Sequence, residues 1–326
     1  MHKLFIIGNG FDCYAHFDKN GDGMKTRYKD FKDFILARHP DIIYSNGVPE
    51  QYLTADHHDY DYDKDEVVGF IVQVLDCCQD DKWSTLENSL GKDIYSIFAD
   101  DFLDVDIENQ KDSEISHNIA ANENMGAAIQ STFVLLKDLF RDWVNDELRI
   151  IPYEQYGKRK NFKNVLVGCP LVDILYKTKR TYINFNYTST LEKIYGINSQ
   201  KIFHLHGKVG EEICFGHGNN DEYYHTYGTW GAEDSLDYVR RYFLKDTSSV
   251  LCQYANFFET LKDVNEIYSY GFSFSDVDMV YVDEICKQVN PKEVVWYFNE
   301  YDSKNNISYL KKIEEKGFIV KTEKRW

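Results

Sequence analysis

Four short segments carry the residue types that bond-breaking chemistry needs. In His204-Leu205-His206-Gly207 the two imidazoles stand two apart, so on an extended strand they share a face. An imidazole titrates near neutrality, which suits one of them to general-base work. The pair can also ligate a metal ion, with His217 of Gly216-His217-Gly218 as a third ligand. Two core histidines bonded to backbone would show the same pattern. Gly207 weighs toward function, because a missing side chain lets something approach closely.

The segment Thr181–Glu192 reads as an aromatic-rich strand ending near Asn186, followed by a helix. The Asn186 amide both donates and accepts, which suits positioning a water against a sugar. Ser189 and Glu192 have the spacing of a capping box, so Glu192 is read as a helix cap. In Gly8-Asn9-Gly10-Phe11-Asp12, glycines permit backbone N–H groups to point at a phosphate, although the spacing is not G-x-G-x-x-G. Asp12 can bond a ribose hydroxyl or cap the following turn. The fourth segment, Ser269–Asp278, has Gly271 and Ser273 at a strand end and Ser275 and Asp276 as helix N-cap candidates. The coincidence of four polar-tipped strand ends is stronger than any one of them.

The elements that must position these residues alternate between two periods. Short apolar runs at Lys3–Ile7, Thr181–Phe185, Lys201–Leu205, Ile213–Phe215, Glu266–Tyr270, Val294–Phe298 and Phe318–Lys321 read as buried strands. Helical patterns at Thr190–Tyr195, Val277–Val289 and Ile307–Lys316 separate several of them. Such alternation predicts an α/β fold with a mostly parallel sheet, as one domain over residues 1–326. From about 26 to 168 the alternation breaks into helical patterns at Tyr28–Arg38, Glu66–Gln79, Leu86–Phe102 and Met125–Leu148. This stretch is expected to be a helical insertion after the first strand, acting as a cap over the site. The acidic connector Asp104–Asn124 reads as a loop.

With 43% hydrophobic residues the chain has ample core material. Its formal net charge of −17 opposes phosphate backbones, so no nucleic-acid partner is expected, while a small nucleotide remains compatible. Seven scattered cysteines with no C-x-x-C pair argue against a zinc ribbon or a disulfide framework and fit a reducing compartment. No apolar run reaches the ~18 residues of a membrane span. A cytoplasmic protein with no membrane partner is the expectation.

Several segments together resemble the AbiH family of bacterial phage abortive-infection proteins. They are LFIIGNGFD (Leu4–Asp12), W-x-x-L-E-x-S-L-G (Trp83–Gly91), NFNYTSTLE (Asn184–Glu192), IFHLHGKV (Ile202–Val209), FGHG (Phe215–Gly218) and YGFSFSDVD (Tyr270–Asp278). The resemblance implies phage defence, with a phage-derived trigger or further copies of the chain as partners. More distantly, the strand ends are similar to the NAD site of sirtuins and sirtuin-like defence NADases. That similarity implies a Rossmann-like (sirtuin- or DHS-like) fold in which the turn Gly8, Asn9, Gly10 and Asp12 holds the dinucleotide. It implies that Asn186 matches the asparagine of a T-x-N-x-D motif, and that His206 and Gly207 match an HG motif whose histidine is the base. Gly271 and Ser273 match a Gly-x-Ser segment that contacts NAD. Thr188 stands where that motif has Asp, and the four zinc-ligand cysteines of true sirtuins are absent. The expectation is therefore an NAD+ glycohydrolase rather than a deacetylase, using NAD as substrate, Asn186 and His206 as catalytic residues and no metal. The alternatives are a non-catalytic nucleotide-binding sensor and a metal-dependent hydrolase.

Overall fold

Leu4, Phe5, Ile6 and Ile7 are all buried, so β1 (His2–Ile7) is apolar on both faces, as a central strand of a parallel sheet must be. The computed structural model describes residues 1–44, 47–54, 60–76, 83–92, 94–95, 98, 103, 112–157, 160–219 and 229–324. After β1 the strands are β2 (Gln51–Leu53), β3 (Tyr60–Tyr62), β4 (Lys179–Asn184), β5 (Ile202–His204), β6 (Val264–Tyr270), β7 (Val295–Asn299) and β8 (Ile319–Glu323). The chain divides into two compact units. The first is Met1–Thr26, Val144–Cys214 and Asp246–Trp326; the second is Arg27–Trp143 and Phe215–Lys245. The helical stretch expected from about 26 to 168 thus compares with a unit that takes 27–143 and adds 215–245.

The first unit is built on a six-stranded sheet in the order β5-β4-β1-β6-β7-β8, with every pairing parallel. Chain order runs outward from β1 in one direction through β5, then restarts on its other side at β6. The direction reverses between β1 and β6, and such a switch point is where doubly wound sheets bind ligands, at the carboxyl ends of their strands. Alternation sends Leu4 and Ile6 into one core layer with Ile183, Ile267 and Trp296, and Phe5 and Ile7 into the other with Tyr182 and Tyr268. In the second layer the rings of Tyr182, Phe5, Tyr268 and Tyr297 stack across four adjacent strands, with centroids 4.7 to 5.1 Å apart. Parallel register places these residues directly opposite one another. Part of the aromatic richness is therefore spent on holding the sheet.

The second unit contains the helices Tyr28–Arg38, Lys64–Asp76, Trp83–Gly91, Asp112–Trp143 and Glu233–Phe243, and the antiparallel pair β2–β3. Phe31, Trp83, Phe140, Trp143 and Phe215 form its aromatic centre. Several expectations need correction. Residues 112–124, read as part of a loop, are the first turns of the helix Asp112–Trp143; residues 104–111 lie outside the described residues. The buried Asn122 amide donates to Trp230 O at 2.9 Å, so a polar side chain anchors a stretch whose composition reads as solvated. Ile213–Phe215 is not a strand: Cys214 N–H donates to His206 O at 2.9 Å, folding the segment onto the turn after β5. Helix Lys64–Asp76 covers most of the pattern at Glu66–Gln79, whose last residues lie outside the described set. Among the described residues Cys13, Cys169, Cys214, Cys252 and Cys286 form no disulfide, and Cys77 and Cys78 fall outside the described residues.

No helix among the described residues is long and apolar enough to cross a membrane. At the switch point a Cβ on Gly8 would lie 2.3 Å from Gly271 O, a clash between backbones that no rotamer relieves. Gly8→Ala is expected to lower stability by about 3 kcal/mol or more. Gly196→Ala, at a positive φ of 67° with nothing nearby, is expected to cost only about 1–2 kcal/mol. Urea denaturation midpoints of the two variants check the contrast; equal losses would contradict it.

Candidate functional site

Because all six strands run parallel, the ends of β1, β4, β5 and β6 lie on one edge of the sheet. The first glycine turn is used by the fold itself. Gly8 N–H donates to Tyr270 O at 3.0 Å and Gly10 N–H to Gly271 O at 3.2 Å, while Phe11 N–H returns to Gly8 O. Asn9 sends its side-chain amide to Thr26 O at 2.9 Å. Gly271 has φ 65°, and a Cβ there would lie 2.4 Å from Phe11 N. The three glycines therefore join β1 and β6 backbone to backbone, and the helix Asn9–Ala15 starts at once beneath them.

That helix turns Asp12 inward, where it is fully buried. The Thr188 hydroxyl donates to Asp12 Oδ2 and lies 3.0 Å from the Thr190 hydroxyl. Burial pushes the Asp12 pKa up to about 6, against the pull of the Thr188 and Thr190 hydroxyls, the Asn186 amide and the His204 ring. Asn186 is positioned by its neighbour in β4: its N–H donates to Asn184 Oδ1 at 3.0 Å. Its side chain is only 4% exposed, yet neither its amide nitrogen nor its amide oxygen has a hydrogen-bond partner. Asp12 Oδ1 is equally unpartnered. Asn186 stands close enough to favour the Asp12 carboxylate, although neither amide atom completes a hydrogen bond of ordinary geometry. Buried amides and carboxylates are nearly always satisfied, so two such groups side by side make this the candidate site.

Sequence reasoning assigned Glu192 to helix capping, and the structure corrects this. Ser189 makes no side-chain cap, and Glu192 Oε1 instead meets His204 Nε2 at 3.1 Å. His204 Nδ1 faces Asn186 O at 3.2 Å, so both ring nitrogens face oxygen atoms of the protein. Burial works to raise the Glu192 pKa, but the hydrogen bond and charge of His204 bring it below the usual carboxylate value. Its second oxygen, Oε2, is buried and unpartnered. Tyr153 closes this side, its oxygen accepting from Ser189 N–H at 3.0 Å. Burial and the nearby Asp12 and Glu192 charges raise its pKa.

His206 lies two residues past β5, its ring 4.9 Å from that of Phe185, the neighbour of Asn186. Its Nε2 meets Asp278 Oδ1 at 3.0 Å, and Asp278 Oδ2 accepts from Ser275 Oγ at 2.9 Å. The carboxylate thus holds the proton on Nε2 and leaves Nδ1, which has no partner among the described residues, to act as acceptor. Asp278 and Ser275 escaped the sequence reading, which took this stretch for a helix start. The helix begins later, at Met279, with no side-chain cap. The approach that Gly207 permits is made by the Glu212 carbonyl, 1.9 Å from where a Cβ would sit. Ser273 is half-buried beyond β6.

In the second unit, the W-x-x-L-E-x-S-L-G and FGHG segments meet. Gly91 lies against the His217 ring, and Glu87 forms a buried ion pair with Lys245 at 2.7 Å. His217 Nε2–H donates to Arg240 O at 3.0 Å, and Nδ1 accepts from Asn219 N–H at 3.1 Å. Burial lowers its pKa to about 4, and both ring nitrogens are spent. No group of three His, Cys, Asp or Glu side chains able to hold a metal occurs among the described residues. The histidines proposed as a metal set are engaged by the protein: His204 through both nitrogens, His206 through one and His217 through both.

The family described as "Bacteriophage abortive infection AbiH" matches residues 4–300, and the chain belongs to it. No curated protein and no solved structure matches the chain.

The raised pKa of Asp12 has a consequence for stability. An unfolded aspartate titrates near ~3.9, so the folded state binds this proton more tightly. The resulting stability is complete below about pH 4 and is lost as pH rises through about 6. Asp12→Asn, which keeps an acceptor for Thr188, is expected to stabilise the protein by up to about 3 kcal/mol near pH 7.5, the gain vanishing toward pH 4. Thermal melts from pH 4 to 8 check this, and a variant destabilised at every pH contradicts it.

Proposed function

We propose that this AbiH-family chain is an abortive-infection effector that hydrolyses the N-glycosidic bond of NAD+, releasing nicotinamide and ADP-ribose. The observation that carries the reading is the buried, doubly unpartnered Asn186 amide beside the unpartnered Asp12 oxygen, at the carboxyl edge of a doubly wound sheet. An amide with a free donor and a free acceptor suits a sugar diol or a water held against C1′. His206 supplies the base: Asp278 fixes its Nε2 proton, and Nδ1 takes the proton of the attacking water. Ser275 holds Asp278 in turn, so it and Asp278 act as positioning residues. The distant similarity to sirtuin-like NADases points to NAD+ as the nucleotide, and membership of an abortive-infection family fits an activity that depletes a shared cofactor.

The two catalytic substitutions carry different expected costs. Asn186→Ala removes an amide that makes no hydrogen bond, so the melting temperature is expected to hold or rise while nicotinamide release falls by about 10²-fold or more. His206 is packed against Phe185 and bonded to Asp278, so His206→Ala is expected to cost about 1–3 kcal/mol as well as a rate loss of about 10²–10⁴-fold. Purified variants assayed for nicotinamide release and melting temperature check both. Unchanged turnover in Asn186→Ala contradicts the reading, and binding of NAD+ by wild type without nicotinamide release leaves a nucleotide sensor.

A further inference from the structure

Around Asn186 the protein offers carboxylates where a phosphate site would offer cations. Neither Asp12 nor Glu192 forms an ion pair with a lysine or arginine among the described residues; Lys208 acts on Glu192 only through its charge, from beyond ion-pair distance. The His204 ring meets one of the two carboxylates, at Glu192 Oε1. The Gly8 and Gly10 N–H groups are held by the carbonyls of Tyr270 and Gly271. What remains open is one Asp12 oxygen, one Glu192 oxygen and both ends of the Asn186 amide, all buried. This set carries a net negative charge, accepts at three atoms and donates from one. A phosphate presented to it meets two carboxylates at low dielectric and is repelled. Sugar hydroxyls and a positive charge are complementary to it.

We infer that the Asp12–Asn186 cluster receives the ribosyl–base end of the substrate and selects a cationic base over a neutral one, with Asp12 lying against the charge. The inference rests on the N-glycosidic reading above and names the substrate class: N-ribosides of a pyridinium-type base. The charge is needed throughout the step. The C1′–N bond breaks with its electron pair passing to the ring nitrogen, so the positive charge leaves the base and appears across C1′ and O4′ of the ribosyl group. Water forms the new C1′–O bond, and its proton passes to His206 Nδ1 and then to solvent. A fixed carboxylate beside C1′ stabilises the cation in the ground state and again in the transition state, and it needs no reorganisation as the charge moves. Thr188 fixes Asp12 Oδ2 and leaves Oδ1 to face the sugar.

NAD+ and NADH provide the test, because they share every atom but a hydride and differ in the charge of the nicotinamide ring. The full-length protein is titrated with each by thermal shift, alongside a nicotinamide-release assay with NAD+. Wild type is expected to bind NAD+ about tenfold or more tightly than NADH, and Asp12→Asn to reduce that preference to within about twofold. Thr188→Val, which removes the hydroxyl and keeps the charge, is expected to retain most of it. Equal affinity of wild type for the two nucleotides with nicotinamide still released overturns the charge selection and leaves NAD+ hydrolysis standing. A preference that survives in Asp12→Asn assigns it to another group. Failure of wild type to bind or cleave either nucleotide removes both this inference and the function it rests on. The wild-type comparison decides the matter even if a variant does not fold.

Discussion

Gly8, Gly10 and Gly271 bring the end of β1 and the turn after β6 together with no side chain between them. Any Cβ at Gly8 or Gly271 would fall inside 2.5 Å of the opposing backbone, so the contact exists only as glycine against glycine. It closes the point where strand order reverses and spends the Gly8 and Gly10 N–H groups on the carbonyls of residues 270 and 271. It also makes the helix Asn9–Ala15 begin immediately after β1. A helix starting one residue later would turn a different side chain inward. Starting here, it delivers Asp12 to Thr188 and to the flank of Asn186. The glycine turn thus fixes the geometry of the candidate site.

The chemistry placed there runs against the stability of the fold. A carboxylate with one oxygen unpartnered, an amide with neither end bonded and a second carboxylate with a free oxygen are each costly in a packed interior. Around them lie ordinary, fully satisfied devices: Asn184 ordering the turn after β4, Tyr153 receiving Ser189 N–H, and Ser275 behind Asp278. Satisfied groups thus surround a few unsatisfied ones, the pattern of a site whose missing partner is a ligand. The acidity of the whole chain continues into this centre, as the proposed cationic substrate requires.

Strands β1, β4, β6 and β7 were legible because they are largely buried on both faces and therefore read as short apolar runs bounded by turns, whereas the edge strand β8 is mostly exposed and announces itself only by its first apolar residues. Ile213–Phe215 has the same look and fails, since three apolar residues can fold back onto His206 O as readily as extend a sheet. Residues 112–124 read as loop from their polarity, and the buried bond from Asn122 to Trp230 is a contact across more than a hundred positions that no local pattern announces. Within the site, Asn186 and His206 were legible as polar tips of strands. Glu192 was assigned to a cap because its spacing from Ser189 fits one, whereas its partner His204 is adjacent only in the folded sheet. Asp278 hid for the same reason, reading as a helix start while its carboxylate reaches back to His206. The segments around Trp83 and His217 carried the family resemblance and serve packing and a buried ion pair within the second unit.

The most direct test is a crystal structure of the protein with ADP-ribose, the product of the proposed reaction. The account predicts density for the terminal ribose with a hydroxyl on the Asn186 amide and C1′ facing Asp12 Oδ1, the His206 ring standing on the side from which water attacks. A ribose bound elsewhere, with Asn186 and Asp12 meeting only water or each other, would contradict it.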